Sequence, residues 1–251
     1  MSIGRGSMDV EKQKIIELLR FIGFFIDEEN GRFYLNDNSH KDDSDYAQKI
    51  LSKYEIGTMI NNQIVIENPN VDSMKELFRE CKKGSVGTGE NRVTQKWHIV
   101  QKRNCANKIP ILWLEVYVAR YIRSLSACGI YTCGCCDGNH PNSNKILIEF
   151  DGPIYKELHA LFWEKIIRNK FEINWSKDYT IIVLEDKMES YKKLNQAAEY
   201  IYQHRELFRN LRMKSLTWLN KKMLREMTDE EIKRRFLEEL EKNIKEVQNG
   251  N

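Results

Sequence analysis

The chain has 251 residues, with 31% charged and 41% hydrophobic residues and only 13 Gly and 4 Pro, which excludes a low-complexity or collagen-like chain and leaves room for one or two hydrophobic cores. Forty Lys and Arg stand against 37 Asp and Glu, a net charge of +3, so a basic binding surface has to arise from local segregation of charge. No apolar run approaches the roughly 20 residues of a membrane-spanning helix, since even the stretch 109–119 is broken by Glu115. The N-terminus turns charged at once and lacks the apolar core of a secretory signal, so the expected location is cytoplasmic, where thiols stay reduced.

Ile15, Leu18, Leu19, Ile22, Phe25 and Ile26 form a helical stripe that predicts a first helix over 9–26. Short β-like runs at 32–35 and 63–67 flank a helix near 43–54, and another helix, 71–82, follows Asn68-Pro69. The segment from Gly84 to Gly89 reads as a surface loop and a boundary. A helix over 110–127, with Pro110 in its first turn and Gly129 to stop it, then leads to strands at 130–135 and 145–150. A helix over 154–169 and strand-like runs at 171–175 and 179–184 complete an αββαββ order. Helices fit 190–211, 214–226 and 229–247, the last opened by Thr228 and Glu231 as a capping box. No internal repeat is visible in the residues. The reading is an α+β protein with a small mixed unit (1–84), a central unit carrying a cysteine cluster (91–187) and a helical C-terminal extension (188–251).

Four of the six cysteines fall between Cys128 and Cys136. Cys128, Cys133, Cys136 and His140 combine three soft thiolates with an imidazole, the ligand types Zn²⁺ takes in tetrahedral sites, with Cys135 as an alternative ligand. The bland reading makes them small hydrophobes of a buried strand, and a third makes one of them a nucleophile activated by His140 or His159.

Gly84 and Gly89 have the glycine spacing of a phosphate-binding loop, but Glu90 and Asn91 stand where that loop needs Lys and Ser or Thr, which rejects it. The run Gly134-Cys135-Cys136-Asp137-Gly138 resembles the Gly-x-x-Asp-Gly core of LAGLIDADG homing endonucleases over five residues, and the resemblance implies that Asp137 would hold a divalent ion. Asn139 and His140 replace the usual continuation. Glu185 and Lys187, after the apolar run 181–184, are a second nuclease-like pairing of carboxylate and lysine without a convincing partner aspartate.

Residues 91–114 contain no acid, while Arg92, Lys96, Lys102, Arg103 and Lys108 surround Trp97. Arg205, Arg209 and Arg212 recur at helical spacing in a second acid-poor stretch. Both stretches suit phosphate contacts with DNA or RNA, with Trp97 available to stack on an unpaired base. The expected function is an intracellular zinc-containing nucleic-acid-binding protein. The alternatives are a metal-dependent nuclease, and a non-catalytic module that self-associates or pairs with a partner protein through helix 229–247.

Overall fold

The computed structural model describes residues 4–36, 41–76, 94–98, 111–138, 145–150, 153–175, 180–182, 187–216 and 226–249. Along them helices mix with short strands, so the chain is α+β. It divides into two compact units. The first holds the described residues up to 98 together with 111–120 and 136–138; the second holds 121–135 and those from 145 onward.

The first unit opens with α1 (Gly4–Phe21), followed by β1 (Ile26–Glu29) and β2 (Arg32–Leu35), then α2 (Lys41–Lys53), β3 (Gly57–Ile60) and β4 (Gln63–Ile66). The four strands form one antiparallel sheet in the order β1-β2-β4-β3. Each hairpin closes through two residues. Asn30 and Gly31 both take positive φ (52° and 72°), the geometry whose twist suits a two-residue hairpin, and Asn61 (φ 55°) opens the second. Ile15, Ile16 and Leu19 from α1, Ile50 and Leu51 from α2, and Phe33, Leu35, Ile64 and Ile66 from the sheet are buried together as its core. The edge strand β3 is tied to α2, because Gln48 Oε1 accepts from the Met59 N–H at 2.7 Å and the Thr58 hydroxyl at 3.0 Å. A helical stretch at 71–76 starts on Asn70, whose Oδ1 accepts from the Asp72 and Ser73 N–H groups. A two-stranded antiparallel ribbon, β5 (Thr94–His98) with β6 (Ile111–Glu115), follows.

From β6 the chain passes straight into α3 (Val116–Ala127), whose first residues belong to the first unit and whose remainder belongs to the second. The second unit continues with β7 (Thr132–Cys136), β8 (Lys145–Phe150), α4 (Pro153–Phe162), β9 (Thr180–Ile182), α5 (Lys187–Gln203), α6 (Arg205–Leu216) and α7 (Asp229–Asn249). Its sheet runs β7-β8-β9. After α4 the helix widens into a π-helical turn over Trp163–Ile167, where the Arg168 N–H reaches Trp163 O. α7 starts as its capping residues predict, with the Glu231 N–H donated to Thr228 Oγ1 at 3.3 Å. Its apolar face docks on its own unit: Phe236, Leu240 and Ile244 are buried, Lys233 pairs with Glu157 at 2.6 Å, and Gln248 donates to Lys165 O.

The structure departs from the sequence reading at several places. Residues 111–115 are a strand, so the expected helix over 110–127 begins only at Val116. The first helix stops at Phe21, and Ile26 starts β1. β1 and β3 were not expected. Of the expected strand over 171–175 only an isolated bridge at Trp175 remains. The break in the C-terminal helices falls at His204, whose Nδ1 contacts Tyr200 O at 2.8 Å while Arg205 Nη1 donates to Tyr202 O, so side chains serve the interrupted carbonyls.

A repeat that the residues hide is present in the backbone. In the first unit a helix and a hairpin are followed by a second helix, and the second strand, β2, pairs with the last, β4. In the second unit α3, β7 and β8 are followed by α4, and β8 pairs with the last strand, β9. The opening helices also end alike. In α1 the Phe24 N–H bonds Leu19 O and the Gly23 N–H bonds Arg20 O; in α3 the Ile130 N–H bonds Leu125 O and the Gly129 N–H bonds Ser126 O. α2 closes the same way on Ile56 and Leu51, with Glu55 in the left-handed position at φ 53°. A side chain there costs roughly 1–2 kcal/mol that glycine avoids. Glu55→Gly should therefore raise the urea midpoint, whereas Gly129→Ala should lower it, since Gly129 sits at φ 77° and an added Cβ would lie 2.7 Å from Arg212 Nε. Equal shifts of the same sign would contradict this account.

Candidate nucleic-acid interface and cysteine turn

All five residues of β5 pair with β6: Thr94 with Glu115, Gln95 with Leu114, Lys96 with Trp113, Trp97 with Leu112, and His98 with Ile111. Opposed residues share a face and successive residues alternate. One face thus holds Thr94, Lys96, His98, Ile111, Trp113 and Glu115, and the other holds Gln95, Trp97, Leu112 and Leu114. At the base of the ribbon both faces are covered, since Leu114 on one and Glu115 on the other are buried. Glu115 Oε2 accepts the Asp137 backbone N–H at 2.5 Å. Trp97 is therefore placed on the face of the buried leucine. Trp113 stands opposite Lys96 on the other face; the sequence reading missed it because it assigned 110–127 to one helix. Arg92, Lys102 and Arg103 lie outside the described residues.

The arginines of α6 have partners inside their own unit. Arg205 donates to Tyr202 O at 3.0 Å and its guanidinium lies 4.5 Å from the Tyr202 ring. Arg209 pairs with Glu206 and donates Nη2 to Ala127 O at 2.6 Å, at the C-terminus of α3. Arg212 donates to Met213 Sδ, and its Nε lies against Gly129. A helix end leaves carbonyls without intrahelical partners and carries partial negative charge, so a guanidinium there satisfies both needs.

The cysteine run lies mostly in β7. Strand alternation puts Cys133 and Cys135 on one face and Gly134 and Cys136 on the other, where the Glu149 carboxylate covers Gly134. Cys133 Sγ contacts Phe150 O at 3.5 Å, and Cys136 Sγ accepts the Gly138 N–H at 3.4 Å. Cys128 is fully buried, its thiol is pushed well above its ordinary pKa by burial, and it is bonded to Ile201 O. His140 lies outside the described residues, and among the described residues no three His, Cys, Asp or Glu side chains are placed to hold a metal ion. Asp137 is buried just after β7, Lys187 opens α5, and Glu185 lies outside the described residues. No helix among the described residues is long and apolar enough to cross a membrane. No family model, curated protein or solved structure matches the chain.

His159 is 0% exposed, and its Nε2 is 2.7 Å from the Tyr121 hydroxyl within a cluster of Phe150, Trp163 and Trp175. Burial pushes its imidazole down to about 3, so it is neutral in the folded chain and supplies no cation to stabilise a thiolate. In the unfolded chain a histidine takes up a proton near pH 6.5, whereas here protonation waits until about pH 3. The folded state is thus fully favoured above pH 6.5 and loses stability as pH falls, by up to about 1.4 kcal/mol per unit. Urea unfolding between pH 6.5 and 4.5 should show this acid limb, and His159→Phe should flatten it. An identical slope in the variant would show that the limb has another origin.

Proposed function

We propose that this chain binds nucleic acid through the β5–β6 ribbon and the basic stretch around it. The supporting observation is the register of the ribbon, which pairs β5 with β6 and leaves Glu115, opposite Thr94, as the one acid of the two strands. Along the sequence, residues 91–114 carry Arg92, Lys96, Lys102, Arg103 and Lys108 and no acidic residue. Positive charge held this way favours phosphate through counterion release, independent of base sequence. The α6 arginines are left out of this surface, because their donors already serve Tyr202, Ala127 and Met213.

Labelled DNA and RNA followed by fluorescence anisotropy at two salt concentrations test the reading. Affinity should fall steeply with salt, and replacing Lys102, Arg103 and Lys108 with glutamine should weaken all sequences alike. The log–log slope should flatten by about 0.9 for each duplex phosphate that the variant no longer neutralises. Failure of the native chain to bind either nucleic acid at low salt overturns the proposal. A nuclease reading adds cleavage in Mg²⁺ that Asp137→Asn or Glu185→Gln abolishes.

Zinc enters this reading at the end of β7, where Cys136 already receives an N–H of the kind a bound thiolate keeps and His140 follows. Elemental analysis should then find one zinc per chain, lost in Cys136→Ser and kept in Cys128→Ser. A folded, metal-free native protein removes zinc and leaves the nucleic-acid reading standing.

A further inference from the structure

We propose that Cys133 and Cys135 form a two-thiolate site for a soft monovalent metal ion, copper(I), on the rim of the second unit's sheet; the site is separate from the nucleic-acid and zinc readings above and depends on neither. In the order β7-β8-β9, β7 has a neighbour on one side only among the described residues. Cys133 and Cys135 stand two apart in that strand and so share a face, with Cys133 exposed and Cys135 half-buried. Gly134 lies on the other face, where a Cβ in its place would come 2.6 Å from Glu149 Oε2. Glu149 is the one acid in β7 and β8, so the carboxylate of these strands is on the side away from the two sulfurs. Alternation in β8 puts Ile148, buried, and Phe150, half-buried, on the cysteines' face, and the Phe150 carbonyl accepts the Cys133 thiol at 3.5 Å.

Geometry decides between a disulfide and a bound ion. Same-face neighbours on a strand have nearly parallel Cα–Cβ bonds about 6.6 Å apart, two rises of about 3.3 Å. A disulfide needs its Cβ atoms about 3.5–4.5 Å apart, so the pair is too wide to close on itself without bending the strand. An ion between the sulfurs adds two metal–sulfur bonds of about 2.3 Å each, the length zinc makes, and spans the gap. Sulfur donors select soft ions over magnesium or calcium, and two of them satisfy copper(I), whereas zinc takes four ligands. Among the described residues no third His, Cys, Asp or Glu joins the pair as a metal-holding group. Binding exchanges protons for the ion: each thiol releases one proton to water, two sulfur–copper bonds form, and no electron is transferred. The hydrogen bond from Cys133 to Phe150 O is given up in that exchange.

The test uses the full chain, kept reduced, and copper(I) supplied on the coloured chelator bathocuproine disulfonate. The native chain should withdraw one copper(I) from the chelator, with a sulfur-to-copper charge-transfer band in the ultraviolet, and uptake should strengthen as pH rises because protons are released. Cys133→Ser and Cys135→Ser should each lose that uptake, while Cys128→Ser keeps it. Cys136→Ser should keep it too, even where that variant loses zinc, as two separate sites require. In the native chain copper(I) should shield Cys133 and Cys135 from iodoacetamide, read by peptide mass, which needs no variant to fold. Uptake that survives loss of either cysteine, shielding of Cys136 in place of Cys135, or a native chain that takes no copper(I) from the chelator overturns the site.

Discussion

Every residue from Tyr117 to Thr132 is buried, and much of the fold follows from making that stretch tolerable away from water. A helix buried all round is ordinarily apolar, yet α3 carries Arg120, Arg123, Ser124 and Ser126 inside. Burial pulls the Arg120 guanidinium down to about 10, with Glu17 opposing the shift and Arg20 adding to it, so it stays charged near neutral pH. α1 is held beside it by Phe21, whose ring meets Tyr117 edge-on at 5.7 Å. The C-terminus of α3 poses the second difficulty, since its last carbonyls face no water. Gly129 folds back in the left-handed region, and Arg209 brings a charged donor to Ala127 O. Residues distant in sequence are thereby committed to one helix end.

The sequence carried the long helices and the class of the fold, because α2 and α7 have stripes several turns long and α7 has a readable cap. Four-residue strands give almost no period to read, so β1 and β3 escaped notice although Asn30-Gly31 marks a two-residue hairpin. The first helix was drawn too long for a related reason: Phe25 and Ile26 keep the helical spacing of the stripe, and only Gly23, at φ 117°, reveals that the backbone has turned. The repeated helix and hairpin leave little trace in residue identity. Leu19 and Gly23 match Leu125 and Gly129, but burial can be met by Ile22 in one copy and Cys128 in the other, and hairpin turns accept several residues.

The candidate site was legible in charge and illegible in geometry. Ile111-Leu112-Trp113-Leu114 is a continuous apolar run, which periodicity cannot divide between buried strand and helix, and Pro110 suits the start of a helix. Assigning those residues to a helix hid the pairing of Trp113 with Lys96 and of Leu112 with Trp97. For the cysteines, spacing along the chain suggested that Cys133 and Cys136 converge. That expectation assumes a tight turn, whereas in a strand residues three apart point to opposite faces.

In the second of the two acid-poor stretches the fold takes up several of the arginine donors. The α6 arginines flank Phe208 and Leu211, both 1% exposed, so their stems start at the core boundary, and the fork of Arg209 reaches the Ala127 carbonyl at the end of α3 while Arg205 reaches Tyr202 O. Orphan carbonyls of a buried helix end compete with any phosphate for those donors, and they are always present. In the ribbon, pairing serves the backbone groups that β5 and β6 turn toward each other, and Glu115 Oε2 accepts the Asp137 amide. At the end of α3 the fold itself takes up a charged donor, which Arg209 supplies to Ala127 O.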